Sequence, residues 1–311
     1  MSNRQILVFT NCTSRKRGLV SSELLARTLP LGTYSTVSAE WAKRIDTAPK
    51  LRSAGELYCG RAITETLQSA RSLAAEVAFF SAGLGIVARE HFVPTYSLTS
   101  SSRNLDSIDG RLTEPYSPSS WWRSLLRARK QEGVFARLVE ERRPSLILLA
   151  LAPGYLSMVR EDLECVARGF CSVMRILGPR RRDEVPEALR EQWLPYDDRL
   201  DDPASGFNGT PADFPHRALR HFASRIFRPE HTQSIAVHRQ LVEASLRELK
   251  PYVRPRGVTA SDEEVLAVIK ALWNKCAGNR GRVLRTLRRH NGIACEQGRF
   301  RRLADRFEGK H

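Results

Sequence analysis

Apolar residues in this chain gather in short runs separated by longer stretches with helical spacing. Gln5 to Phe9 (QILVF) is β-branched and aromatic and ends in the polar string TNCTSRKR. Val77 to Ala82 (VAFFSA) predicts a second strand and FCSVMRIL a further one; between them PSLILLALAPGY is apolar on both faces, as a central parallel strand is. The intervening segments SELLARTL and RAITETLQSARSLAAE read as helices. The latter is expected to begin near Leu57 and to keep Ile63, Leu67 and Leu73 on one face. PYSPSSWWRSLLRARKQEGVFARLVEER predicts one helix capped near Ser119 or Ser120, and GYLSMVREDLECVA another. Strands alternating with helices predict an α/β core with a mainly parallel sheet.

In such a sheet the ligand crevice lies beyond the carboxyl ends of the strands. The residues expected there are Thr10 and Asn11, Ser81 to Gly85, and Ala152 to Tyr155. Gly83 and Gly85, in FFSAGLGIVARE, are expected to bring exposed backbone N–H groups to a ligand, with ordinary βα-turn glycines as the other reading. Neither G-x-x-x-x-G-K-[ST] nor G-x-G-x-x-G occurs.

Beyond the last strand, Pro179, Pro186, Pro195, Pro203 and Pro211 mark a folded loop region. Asp213 is expected to cap a helix carrying His216, Arg217, Arg220 and His221, which either meet phosphate or form solvated surface. Residues 251–311 hold 14 Lys and Arg against 6 Asp and Glu, half the net charge in a fifth of the chain. PYVRPRGV reads as a linker, and a Ser261/Glu264 capping box opens the first of three short helices. Val265, Leu266, Ile269, Leu272, Val283, Leu284 and Leu287 are the expected core of a helix-turn-helix-like module with a recognition helix near Glu296 to Phe307. The division is therefore a core over 1–228, a connecting helix and linker over 229–258, and a basic helical module over 259–311.

Charge narrows the partners. The 311 residues carry 50 Lys and Arg against 34 Asp and Glu, a net +16, which favours polyanions, duplex DNA first and an anionic membrane second. LILLALAP is too short to span a bilayer, and the N-terminal segment lacks a signal-peptide pattern, so a cytoplasmic protein without membrane association is expected. Six cysteines without C-x-x-C read as reduced thiols, and His216 and His221, five apart, are poorly spaced for a metal. No metal and no cofactor are expected.

LVFTNCTSRKR, ELYCGRA, FFSAGLGIV, PTYSLT, ILLALAPGYLSMV, LPYDDRLD, GTPADFPHRALRHF and GIACEQGRFRRL together resemble a Rossmann-like bacterial family distantly akin to peroxide-stress DNA-binding proteins. The layout is similar to anti-phage DNA glycosylases that remove glucosylated hydroxymethylcytosine from phage DNA. The resemblance implies N-glycosidic bond hydrolysis on modified phage DNA, leaving abasic sites. That chemistry wants a carboxylate near the anomeric carbon, hydrogen-bond donors at the base and aromatic rings against a flipped nucleotide. Asp109 and Asp106 are the leading carboxylates, with Glu90 and Glu56 behind them, and Asn11 is expected to bond the base. Ser81, Gly83 and Gly85 would hold phosphate or sugar, and Tyr58, Tyr96 and Tyr155 would stack or donate. Arg280, Arg282, Arg285, Arg288, Arg289, Arg299, Arg301 and Arg302 are the expected DNA contacts. Two other readings stand beside it: a non-enzymatic DNA-binding regulator, and a nuclease using the carboxylates of DDRLDD, Asp197 to Asp202, for Mg²⁺.

Overall fold

The computed structural model describes residues 5–101, 104–228, 234–251 and 257–308. The chain forms two compact units, Met1–Tyr252 and Val253–His311. Along the first run β1 (Ile6–Asn11), α1 (Tyr34–Thr47), β2 (Arg52–Ser53), α2 (Ala54–Leu57), α3 (Arg61–Ser72), β3 (Glu76–Ser81), β4 (Gly85–Ala88) and β5 (Phe92–Val93). They are followed by α4 (Pro118–Ala128), α5 (Val134–Arg142), β6 (Leu146–Ala150), α6 (Pro153–Met158), α7 (Arg160–Phe170), β7 (Met174–Ile176), α8 (Phe214–His221) and α9 (Ile235–Leu246). Among the described residues no helix is long and apolar enough to cross a membrane.

The fold is α/β with a mainly parallel central sheet of order β4-β3-β1-β6-β7. β1 is parallel to β3 on one side and to β6 on the other, with Phe9 opposite both Ala78 and Leu149. All residues of β1 and β6 are buried, which is why both read as continuous apolar runs. The chain fills the β3 side first and the β6 side second, so strand order reverses at β1. The carboxyl end of β1 is thus the topological switch point, where such sheets open a crevice.

Several local expectations are corrected. SELLARTL forms two 3₁₀ turns, Ser22–Leu24 and Ala26–Thr28, because Leu25 between them is extended at φ −95°, ψ 123°. The helix expected from Leu57 starts at Arg61, after Gly60 at φ 105°. The helix expected from Ser119 is two helices: Ser117 caps α4, and Lys130 and Gly133, both at positive φ, interrupt the chain before α5. FFSAGLGIV is no strand-to-helix turn but a β-hairpin, with β4 antiparallel to β3.

At His216, Arg217 and His221 the helix α8 corrects both readings offered for it, while Arg220 is exposed. His216 and Arg217 are 0 % exposed and His221 4 %, so they face neither phosphate nor solvent. Arg217 lies 2.8 Å from the carboxylates of both Asp201 and Asp213 and donates to the Phe207 and Thr210 carbonyls. A buried guanidinium persists only with this degree of compensation. Arg220, at the rim, pairs with Glu65. Asp213 accepts from Thr210 N, closing a capping box at the turn before α8.

The helix α9 buries Val242 and Leu246 in the first unit's core. Of the connecting segment expected over 229–258, residues 229–233 and 252–256 lie outside the described residues. The second unit contains β8 (Val258–Thr259), α10 (Asp262–Trp273), α11 (Arg280–Arg289), β9 (Ile293–Ala294) and α12 (Gln297–Glu308). Ser261 accepts from Glu264 N and Glu264 from Ser261 N, so the expected capping box opens α10. Val265, Ile269, Val283 and Leu287 are its buried centre, joined by Cys276, Cys295, Phe300 and Leu303, with Leu266, Leu272 and Leu284 packed at the edge. A parallel pairing of β8 with β9 closes it.

Candidate functional site

At the carboxyl ends of β1 and β3 a chain of hydroxyl and thiol groups replaces the expected wall of amides. Ser81, the last residue of β3, is its hub. Its Oγ accepts the amides of Gly83 (3.3 Å) and Leu84 (3.0 Å), accepts from Tyr58 Oη at 3.1 Å, and lies 2.6 Å from Tyr96 Oη. The Tyr58 and Tyr96 hydroxyls are 2.9 Å apart. Tyr96 also points at Cys12 Sγ at 3.9 Å, and Cys12 Sγ meets Tyr155 Oη at 3.0 Å. Burial, reinforced by the charge of Cys12, pushes the phenols of Tyr58, Tyr96 and Tyr155 well above their ordinary range. They are therefore neutral hydroxyls, able to donate, at any physiological pH.

The glycines serve this arrangement in another way than expected. Gly83 and Gly85 are buried, and their amides do not form an exposed wall. A Cβ on Gly83 would stand 2.4 Å from the Tyr96 ring, so glycine there lets the tyrosine reach Ser81. Gly85, at φ +75°, supplies the left-handed step of the hairpin. Two indoles anchor the turn: Trp41 Nε1 donates to the Gly83 carbonyl at 2.7 Å and Trp121 Nε1 to that of Ala82 at 2.8 Å.

Asn11 closes the other side of the switch point. Its Oδ1 accepts from Ala152 N at 3.1 Å and its Nδ2 donates to the Cys12 carbonyl, tying β1 to the turn that starts α6. Thr10 faces away from the crevice. Its hydroxyl donates to the Ala150 carbonyl, and that of Thr66 to Ala62, so both oxygens accept from His216 Nδ1 at 3.1 and 3.0 Å. The imidazole proton therefore sits on Nδ1.

Lys16 covers the hydroxyl chain. Its Nζ lies 4.2 Å from the centre of the Tyr96 ring and 5.9 Å from that of Tyr58, a cation–π geometry. Burial lowers the ammonium pKa, opposed by the charges of Cys12, Asp106 and Cys59. Among the described residues no carboxylate stands within ion-pair distance of it. Lys16 and Cys12 were not among the residues selected from the sequence; the signal was a cysteine directly after the first strand with a lysine four residues on.

The structure thus brings together Asn11, Ser81, Tyr58, Tyr96 and Tyr155, with Gly83 as the enabling neighbour. The carboxylates sit differently. Asp106 is 6 % exposed, accepts from Ser97 Oγ at 2.6 Å and pairs with Arg27 at 3.3 Å, binding one loop to another while its charge reaches Lys16. Asp109 is half-buried in the 3₁₀ turn Asp109–Arg111, and its charge bears on Tyr116. Glu56 closes a capping box with Ser53, and exposed Glu90 pairs with Arg89. In DDRLDD, Asp197 pairs with Arg199, Asp198 with Arg180, Asp201 with Arg180 and Arg217, and Asp202 accepts two backbone amides. Those carboxylates are already occupied by protein donors. Among the described residues no group of three or more His, Cys, Asp or Glu side chains converges to hold a metal.

A cavity of about 180 Å³ lies elsewhere, beside α4 and the start of α7, lined by Trp122, Arg123, Met158, Glu161 and Asp162 among others. None of the hydroxyl-chain residues lines it. Burial raises the Asp162 carboxyl, opposed by a 2.6 Å hydrogen bond from Trp122 Nε1.

In the second unit the arginines divide into two sets. Arg280 pairs with Asp305 and Glu308, Arg299 with Asp262 and the Ala260 carbonyl, and Arg288 donates twice to the Cys295 carbonyl. These three hold the unit together. Arg282, Arg285, Arg301 and Arg302 are exposed, with no carboxylate partner among the described residues. The side chain of Arg289 lies outside the described residues. The chain matches no protein-family model, no curated protein and no solved structure.

Proposed function

We propose that the protein is a DNA glycosylase. It hydrolyses the N-glycosidic bond of a modified pyrimidine, glucosylated hydroxymethylcytosine, in phage DNA as a cytoplasmic defence and leaves an abasic site. The observation that carries this reading is the buried hydroxyl and thiol chain beneath Lys16, which has no ion pair among the described residues, at the switch point of the sheet. Loss of a base leaves negative charge on the departing ring, and neutral phenols with raised pKa are donors suited to meet it. Tyr58 and Tyr96 are each 1 % exposed with Lys16 over their rings, so their hydroxyls rather than their faces are what they bring to a nucleotide. The net charge of +16 supplies the attraction for duplex DNA.

Asp109 and Asp106 remain the carboxylates proposed to steady the developing sugar cation. Asp106 reaches Lys16 electrostatically while Ser97 and Arg27 hold its oxygens. The exposed Arg282, Arg285, Arg301 and Arg302 support a second reading, a DNA-binding protein without turnover. The occupied carboxylates of Asp197 to Asp202 argue against the nuclease reading. One experiment separates the three. Modified and plain duplexes are incubated with protein, with and without chelator, and assayed for free base, abasic sites and nicks. Free base with an abasic strand supports the glycosylase; binding without product supports the regulator; chelator-sensitive nicks support the nuclease.

A further inference from the structure

We propose that Lys16 is a catalytic amine, attacking C1′ of the target deoxynucleotide and carrying the sugar as an imine. This rests on the N-glycosidic reading above and names the nucleophile within that same site. Ser81 Oγ is saturated by two amides and two phenols. The phenols themselves are held protonated. Cys12 is 7 % exposed and its sulfur is occupied by Tyr155. Lys16 is partly buried over the cluster and has no ion-pair partner among the described residues. By contrast, Arg27, Arg61, Arg180, Arg199 and Arg220 in the same unit each hold a carboxylate. A desolvated lysine against apolar and aromatic surface is how proteins keep an amine nucleophilic.

The step balances without any co-reactant but water. The Nζ lone pair forms a bond to C1′ as the bond from C1′ to the base nitrogen breaks. That electron pair leaves with the base, which takes a proton from the hydroxyl and thiol chain. The attacking nitrogen returns a proton to the chain. The C1′–O4′ bond then opens, a second nitrogen proton moves to O4′, and C1′=Nζ forms. Water adds to the imine, and its collapse frees the amine and leaves an abasic sugar.

A duplex carrying a preformed abasic site presents the same C1′ as an aldehyde, so the test needs no knowledge of the base. Full-length protein is mixed with that duplex and sodium borohydride, which reduces an imine to a stable secondary amine. A covalent protein–DNA adduct is expected, its peptide map placing the strand on Lys16, and Lys16→Arg abolishes that adduct. No adduct, or an adduct mapping only to other lysines, overturns the proposal, and this wild-type readout holds even if the variant misfolds. Release of base from modified duplex in parallel reports separately on the glycosylase reading. Base release with no adduct removes the amine and keeps the glycosylase. An adduct on Lys16 with no base release keeps the amine chemistry and removes base excision.

Discussion

Tyr96 Oη stands 2.6 Å from Ser81 Oγ, and that serine oxygen also takes the Gly83 and Leu84 amides at the tip of the hairpin. One side chain therefore satisfies two buried amides and two phenols. Ser81→Ala strands the Gly83 amide, while the Leu84 amide keeps the Ser81 carbonyl and the two phenols keep each other. Buried groups left unpaired cost about 1–3 kcal/mol. Tyr96→Phe keeps the ring over Gly83 and removes its hydroxyl contacts to Ser81, Tyr58 and Cys12 but strands no amide, for about 1 kcal/mol. Urea unfolding is expected to rank Ser81→Ala as the more damaging; equal losses would mean that the amides are served by water.

Arg217 is the polar centre of the loop between β7 and α8, since Asp201, Asp213 and two carbonyls converge on it. Removing one partner of a buried pair costs about 3–5 kcal/mol, because the remaining charge stays buried. Arg217→Ala is expected to lower the thermal midpoint by about 6–20 °C, at about 2–4 °C per kcal/mol for a unit of this size. Arg220→Ala, which removes a side chain at the rim and leaves the buried Glu65 paired with Arg61, is expected to cost less, about 1 kcal/mol. A mild effect of Arg217→Ala in differential scanning calorimetry would contradict this account.

Three buried histidines set the acid side of the stability profile. Burial holds His216, His221 and His238 at about 4, below the ordinary 6.5. The unfolded chain then binds more protons than the native one between those two values. Stability is complete above about pH 6.5 and falls as pH drops toward about 4, where the loss levels off. His216→Gln is expected to flatten part of that slope in urea titrations at pH 4 to 7. An unchanged slope would remove His216 as a contributor.

Much of the sheet was legible because β6 and the first four residues of β1 are unbroken apolar runs, as strands covered on both faces are. The hairpin was hidden, since Ile86 and Val87 after Gly85 are too short a run to announce a strand. The buried helix α8 was hidden by its charges: Arg217 depends on Asp201, sixteen positions away, and no periodicity reports a pairing made by tertiary structure. At the site, Asn11, Ser81 and the three tyrosines were readable from their places after strands and around them. Lys16 was not, because within SRKR it looks like one more solvated cation, and only the Tyr96 ring beneath it sets it apart.

Among the described residues of the second unit, Arg280, Arg288 and Arg299 are tied to its own structure while Arg282, Arg285, Arg301 and Arg302 have no carboxylate partner, so the two sets make opposite predictions. Duplex binding draws on cations that release condensed counterions, and log K falls with log salt by about 0.9 per phosphate contact. Arg282→Ala, Arg285→Ala and Arg301→Ala combined are expected to weaken binding about equally on all sequences and to flatten the salt slope, with thermal unfolding unchanged. Arg280 and Arg299 instead bridge to Asp305 and Asp262. Their alanine variants are expected to destabilise the second unit, each by about 1 kcal/mol or less because the pairs are partly exposed. Salt titrations by fluorescence anisotropy check the first set and calorimetry the second. If the triple variant keeps the full salt slope, the exposed arginines are not the DNA contacts, and the basic loop Arg15 to Arg17 beside the site becomes the surface to test.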